Sequence, residues 1–245
     1  MSLKVLKTTI TGIILSVSCM VNVANAGLIG VFGSNNNSNI VSFLNANGHT
    51  ATNFGGSIDA GQLNGLDAVI GLRADGNGDL LNFVLGGGLY ITEWRAAEWA
   101  LDVANMLDAD GVGIQRIGGN TLITQSALAL SMGLGNGLPN PYSDGGRTEY
   151  DWTINNVGND VDILATRPGD IPVIIGGQVG AGYAFINSLD WADSFPASSS
   201  TSGTWLLNAL NADVRNVSQV PEPSTLAIFA LGVMGLASRR FKKKS

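Results

Sequence analysis

The 245-residue chain carries 13 Lys and Arg against 19 Asp and Glu, with a single cysteine and a single histidine. Between Gly27 and Val220 six arginines and no lysine face 18 acidic residues, which argues against nucleic acid and anionic membrane surfaces as partners, since both attract positive charge. One cysteine and one histidine also exclude a disulfide framework and a histidine-rich zinc centre.

Lys4 and Lys7 precede an apolar run from Ile10 to Val23 that closes with Ala24, Asn25 and Ala26. A basic start, a short apolar stretch and a small-x-small site make residues 1–26 a secretory signal peptide, cut by signal peptidase between Ala26 and Gly27. The run is short for a retained anchor, the other reading. Cys19 falls inside this segment, and Ser16 stands where a lipoprotein signal needs an aliphatic residue. The chain beyond Gly27 is therefore free of cysteine.

Past that site Leu28 to Phe32 reads as a strand, Asn39 to Asn45 as a helix stopped by Gly48, and His49 to Phe54 as a second strand. Leu66 to Leu72 is a buried strand, Asp79 to Leu85 a helix ending in Gly86-Gly87-Gly88, and Leu89 to Thr92 a further strand. Strands alternating with helices over short loops imply a mostly parallel sheet with helices on both faces.

Two loops in this half carry polar clusters. GSNNNSN, Gly33 to Asn39, follows the first strand, where doubly wound folds hold ligands, and offers small polar groups to a phosphate or a sugar hydroxyl; its other reading is a turn and helix cap. In LRADGNGDLL, Asp75, Asn77 and Asp79 set oxygen ligands at alternate positions of a glycine-flexed loop, a pattern that suits calcium. Leu80 and Gly86 stand where an EF-hand needs glycine and glutamate, so the competing reading is a loop whose Asp79 caps the next helix.

The second half opens with a helix near Arg95 to Leu107 and continues through short strands at Gly113 to Ile117 and Thr121 to Thr124. Asp160 to Ala165 and Ile171 to Ile175 flank the turn Arg167-Pro168-Gly169-Asp170, a hairpin signal. Gly182 to Leu189 supplies one more strand, and Thr204 to Leu210 a closing helix with Trp205, Leu206 and Leu210 on its apolar face.

Two segments, GLDAVIGLRADGNGDLLNFVLGGGLYITEW and DILATRPGDIPVIIGGQVGAGYAFINSLDW, resemble the strand, loop, helix, triple-glycine, strand succession and the late hairpin of class I glutamine amidotransferase-like domains. The resemblance implies a flavodoxin-like α/β three-layer sandwich for residues 27–219. It also implies a cysteine elbow after the strand LYIT and a later histidine, and neither is present: the elbow falls at Glu93-Trp94, and INSLDWADS has no histidine. The amidotransferase mechanism therefore transfers to no residue, and His49, in an early strand, reads as a surface residue.

Two other chemistries remain open in the sequence. Glu93 and Asp190, near strand ends, form a candidate carboxylate pair for polysaccharide hydrolysis, provided their carboxyl groups lie about 5–10 Å apart. Trp94 and Trp191, which follow strands, are candidate stacking faces for a glycan.

The chain ends in VPEPSTLAIFALGVMGLASRRFKKKS. Thr225 to Ala237 is apolar for 13 residues, spanning about 20 Å against a hydrocarbon core of about 30 Å, which makes a transient rather than a lasting anchor. Its flanking cations stay cytoplasmic and leave everything before Pro221 outside. Pro221-Glu222-Pro223, the short apolar helix and the basic tail resemble the PEP-CTERM sorting signal of Gram-negative bacteria. That resemblance implies handling by an exosortase-like enzyme across residues 220–245, with export past the inner membrane, display at the cell surface or in the extracellular matrix, and an exopolysaccharide setting. Together these readings describe a non-catalytic α/β domain that is exported and displayed.

Overall fold

The computed structural model describes residues 27–116, 122–143, 150–195 and 201–214. Residues 1–26, expected to be a signal peptide, and the 220–245 tail lie outside the described residues. Within them no helix is long and apolar enough to cross a membrane.

In chain order the elements are β1 (Leu28–Gly33), α1 (Asn37–Ala46), β2 (Thr50–Asn53), α2 (Ala60–Leu63), β3 (Ala68–Leu72), α3 (Gly78–Leu85) and β4 (Leu89–Glu93). Next come α4 (Ala96–Glu98), which runs into a π-helical turn at Trp99–Val103, then β5 (Asp110–Arg116), β6 (Leu122–Gln125) and α5 (Ala127–Ser131). The chain continues through β7 (Tyr142–Ser143), β8 (Tyr150–Asn155), β9 (Asp162–Arg167), β10 (Ile171–Val179) and β11 (Gly182–Asn187). A 3₁₀ turn at Trp191–Ser194 and α6 (Thr201–Leu210) follow.

Nine strands form one sheet in the order β2-β1-β3-β4-β11-β10-β9-β6-β7, and β5 pairs with β8 in a separate ribbon. From β2 to β11 neighbouring strands are parallel, and beyond β11 they run antiparallel. The expected late hairpin is β9–β10, turned by Gly169 at φ 90° and Asp170 at φ 57°.

Alternation along the strands divides the core into two faces. Ile29, Val31, Ile70, Leu72, Ile91 and Phe185 pack with Ile40 and Leu44 of α1 and with Trp205 and Leu206 of α6. Phe32, Val69, Tyr90, Ala184 and Ile186 face the other way, toward Leu80 and Val84 of α3, the Trp99 turn and Ile154 of β8. Because both faces are covered, the parallel strands read as apolar runs rather than as alternating sequences. The result is an α/β three-layer sandwich of the flavodoxin-like, amidotransferase-like kind.

Three sequence expectations change in detail. The helix near Arg95 to Leu107 is only α4 and its π turn, because Met106, Leu107 and Ala109 fold back into the second core face instead of extending a helix. Strand β7 and the short helices α2 and α5 were not expected, their runs being too brief to show a period, and β8 was not expected although YDWTIN alternates apolar and polar residues. The helix α3 is capped by Asn77, whose Oδ1 accepts the Leu80 N–H at 3.0 Å, while Asp79 lies inside the first turn.

The connection from β1 leads outward to β2, and the chain then crosses back to β3 and β4. That reversal makes the carboxyl ends of β1 and β3 the topological switch point, the place where open α/β sheets form a crevice. Gly33 ends β1 at φ 122°, and a Cβ there would collide with the Leu72 carbonyl oxygen, so glycine is what lets the two strand ends close together.

Candidate functional site

Four strand ends deliver polar side chains to this edge. Asn35 follows β1, Arg73 follows β3, Glu93 closes β4 with Trp94 behind it, and Asp190 and Asp193 follow β11. Arg73 and Trp94 both take left-handed backbone, φ 53° and 48°, which turns each side chain sharply out of its strand.

Arg73 is the centre of the cluster. One guanidinium nitrogen, Nη2, donates to Asp190 Oδ1 and, at 2.9 Å, to Asp193 Oδ1. Its Nε lies 3.6 Å from Glu93 Oε1, an ion-pair distance rather than a hydrogen bond. The guanidinium carbon sits 4.9 Å from the Trp94 ring centroid, within cation–π range. Burial works against the charge on Arg73. The hydrogen bond to Asp190 and the carboxylates of Glu93, Asp190 and Asp193 outweigh it and hold the guanidinium pKa above its ordinary value.

Asn35 bridges the carboxyl groups from the other side, its Nδ2 donating to Asp193 Oδ1 at 3.0 Å and to Glu93 Oε1 at 3.4 Å. Glu93 is fully buried, and among the described residues no donor reaches its Oε2. Burial raises the Glu93 pKa well above the usual carboxyl value; a side-chain hydrogen bond with Asp190 and the charge of Asp190 push the same way, and Arg73 opposes them.

Beside the cluster, on the β2 side, is an open concavity of about 420 Å³ lined by Ser34, Asn36, Asn37, Ser38, Asn39 and Asn53, among others. Among the described residues no charged one lines it. Its wall is fixed by amides, with Asn37 Nδ2 donating to Gly33 O at 3.1 Å and to Gly55 O at 3.2 Å. Asn36 Nδ2 ties the same loop to Ala192 O at 2.9 Å.

The structure brings Glu93 and Asp190 to one site, where Arg73 stands against both: it donates to Asp190 Oδ1, and its Nε lies 3.6 Å from Glu93 Oε1. Trp94 keeps a half-buried ring, though Arg73 lies against it. Trp191 is 2% exposed; its Nε1 donates to Thr92 O at 3.0 Å and its ring packs against Phe195 and Trp205, so it is a core residue and not an open stacking face. In the Asp75–Asp79 loop, Asn77 is engaged as the helix cap and as a donor to Ile58 O at 2.6 Å. Among the described residues no group of three or more His, Cys, Asp or Glu is arranged to hold a metal ion. His49 immediately precedes β2, at the opposite edge of the sheet from the cluster. The processing residues Ala24, Ala26, Pro221, Glu222 and Pro223 lie outside the described residues, and Gly27 is the first within them.

Sequence reasoning missed Arg73. The available signal was its position: it directly follows the buried run LDAVIGL and is one of only six arginines between Gly27 and Val220.

Residues 219–243 match the PEP-CTERM protein-sorting motif. A sequence comparison with curated proteins finds no match. Among solved structures, a cytoplasmic protein from Salmonella typhimurium is similar with TM-score 0.59 at 11% identity, over 76% of this chain and 99% of that one. A ThuA-like protein from Bacteroides uniformis is similar with TM-score 0.51 at 12% identity, over 78% and 93% of the two chains. A β-galactosidase from Rahnella sp. R3 matches with TM-score 0.53 at 15% identity over 76% of this chain, which corresponds to 31% of the enzyme. At such identities these likenesses show the shared fold and carry no activity across. The sorting motif marks the chain for export and exosortase processing, with a surface or extracellular location.

Proposed function

We propose that the chain is made with a signal peptide at residues 1–26 and displays residues 27–219 as a non-catalytic amidotransferase-like domain. In this reading the 220–245 segment holds it briefly in the inner membrane of a Gram-negative cell until an exosortase processes it, and exopolysaccharide is its surroundings. The observation that carries the non-catalytic part is Trp94. It takes the left-handed position after β4, where an elbow nucleophile would stand, and Arg73 packs against its ring.

The test is turnover together with processing. The purified full chain is expected to release neither ammonia from glutamine nor reducing ends from polysaccharide. Mass spectrometry of the exported protein is expected to find Gly27 at the amino terminus and the basic tail gone. Turnover abolished by Glu93→Gln or Asp190→Asn would replace this reading with a carboxylate enzyme.

The uncharged, amide-lined concavity beside the cluster favours a second reading, a glycan-binding module, for which retention on neutral polysaccharide is the assay.

A further inference from the structure

The nine-stranded sheet ends at β2 on one side and at β7 on the other, and an end strand offers unpaired N–H and C=O groups to any further strand. Charge or proline commonly blunts such an edge. Neither is present in β2, TATN, or in β6, LITQ, beside the two-residue β7. In β2 the Thr50 N–H donates to the Gly27 carbonyl, and beyond it the Phe54 N–H donates to that of Val31. These alternate residues face β1, so Ala51 and Asn53 between them turn their backbone groups outward.

A side-chain amide closes each edge. Asn45, on α1, accepts the Ala51 N–H on Oδ1 at 2.8 Å and donates from Nδ2 to the Ala51 carbonyl at 3.4 Å, the two bonds that a neighbouring antiparallel strand makes. At the other end β7 pairs Tyr142 with Ile123 and Ser143 with Leu122, and the same register sets position 140 opposite Gln125. There a side chain takes over from the main chain. Asn140 Oδ1 accepts the Gln125 N–H at 2.8 Å, and its Nδ2 donates to the Gln125 carbonyl at 3.1 Å. Pro141, between these rungs, has no N–H to donate. On β7 itself the Ser143 carbonyl accepts the hydroxyl of Thr201 from α6. Asn45 and Asn140 are both exposed, so core packing does not account for either.

We propose that Asn45 and Asn140 stand in for the missing strands and keep the sheet from adding a strand of a second copy of this chain, β2 being the edge that Asn45 holds shut. The partner follows from the chemistry of that edge. β2 is uncharged, and two copies of it related by a two-fold axis pair antiparallel through the same residues without repulsion. The strand is four residues long, so a seal on Ala51 leaves Asn53 as its one outward position open to a second copy. This goes beyond the display reading and does not rest on it. In a chain whose sorting motif marks it for a surface or extracellular location, the seals keep copies separate where they meet.

The test follows self-association of the full chain by sedimentation velocity, with native and variant proteins in the same neutral detergent so that the apolar tail contributes equally. Asn45→Ala removes both bonds to Ala51 from an exposed position of α1 where alanine favours the helix, so the fold is kept. It is expected to tighten self-association at least about tenfold over the native chain, and Asn140→Ala to act in the same direction from the other edge. Adding Thr52→Lys, at an exposed position of β2, to Asn45→Ala is expected to restore native behaviour. A charged edge resists pairing, whereas association caused by a general loss of stability is not cured by a lysine. Either alanine variant no more associated than the native chain overturns the seal that it removes. Association of Asn45→Ala that survives Thr52→Lys overturns β2 as its route, and a native chain that already dimerises and is separated by Thr52→Lys alone overturns the proposal outright.

Discussion

The guanidinium carbon of Arg73 rests 4.9 Å from the centroid of the Trp94 ring, and both residues reach that position from left-handed backbone at the ends of adjacent parallel strands. The same guanidinium holds Asp190 and Asp193. One side chain thus joins the ends of β3, β4 and β11, at the edge where open α/β sheets form a crevice.

Removing that side chain is expected to be expensive. Arg73→Ala leaves Glu93 and Asp190 buried without a cation, and unfolding in urea is expected to show a loss of about 3–5 kcal/mol. Arg73→Lys is expected to fall between, since an ammonium keeps the charge but lacks the planar fork that serves two carboxylates at once.

The pH dependence of stability has a definite sign. The Glu93 pKa is raised in the folded chain, so its contribution is fully present below the unfolded value of 4.5 and is lost as pH rises through the folded value. Thermal unfolding of the native chain is therefore expected to weaken on the alkaline side. Glu93→Gln is expected to remove that component.

The two tryptophans after strands are expected to separate experimentally. Trp191→Ala removes a core side chain packed against Phe195 and Trp205, at a cost of about 3–5 kcal/mol. Its fluorescence in the native chain is expected to resist iodide and to ignore added polysaccharide. Emission from Trp94 is expected to respond to Arg73→Ala, which strips away the nearer of the two arginines over its ring.

At the Asp75–Asp79 loop the expected determinant is the cap. Asn77→Ala frees the Leu80 N–H and the Ile58 carbonyl, and is expected to cost about 1–2 kcal/mol in denaturant unfolding with or without added calcium. Asp79→Ala is expected to stay within about 0.5 kcal/mol, as it lies in the first turn of α3 without being the cap.

Gly33→Ala tests the closure of the switch point. A methyl group at φ 122° meets the Leu72 carbonyl, and the expected loss is at least about 3 kcal/mol, read from the unfolding midpoint. Gly48→Ala, also at positive φ but with open space around its Cβ position, is expected to cost about 1 kcal/mol.

By itself the sequence determined the address and the layers. The PEP-CTERM motif is a linear signal, legible because its recognition depends on local order along the chain: Pro221-Glu222-Pro223, then an apolar run, then cations. The parallel strands were legible for a similar reason. Ile29 to Gly33 and Ala68 to Leu72 are buried on both faces, and an apolar run of strand length between loops records that burial locally. Tertiary structure alone decided the site. Asn35 and Asp193 are 158 positions apart, and Arg73 and Asp190 are 117 apart, yet each pair shares a hydrogen bond. Their meeting depends on strand order, on parallel register and on two left-handed turns, none of which leaves a period in the sequence. The same holds for the raised pKa of Glu93. A glutamate at the end of LYITE looks like any surface carboxylate until the fold buries it beside Asp190 and gives Arg73 closer partners.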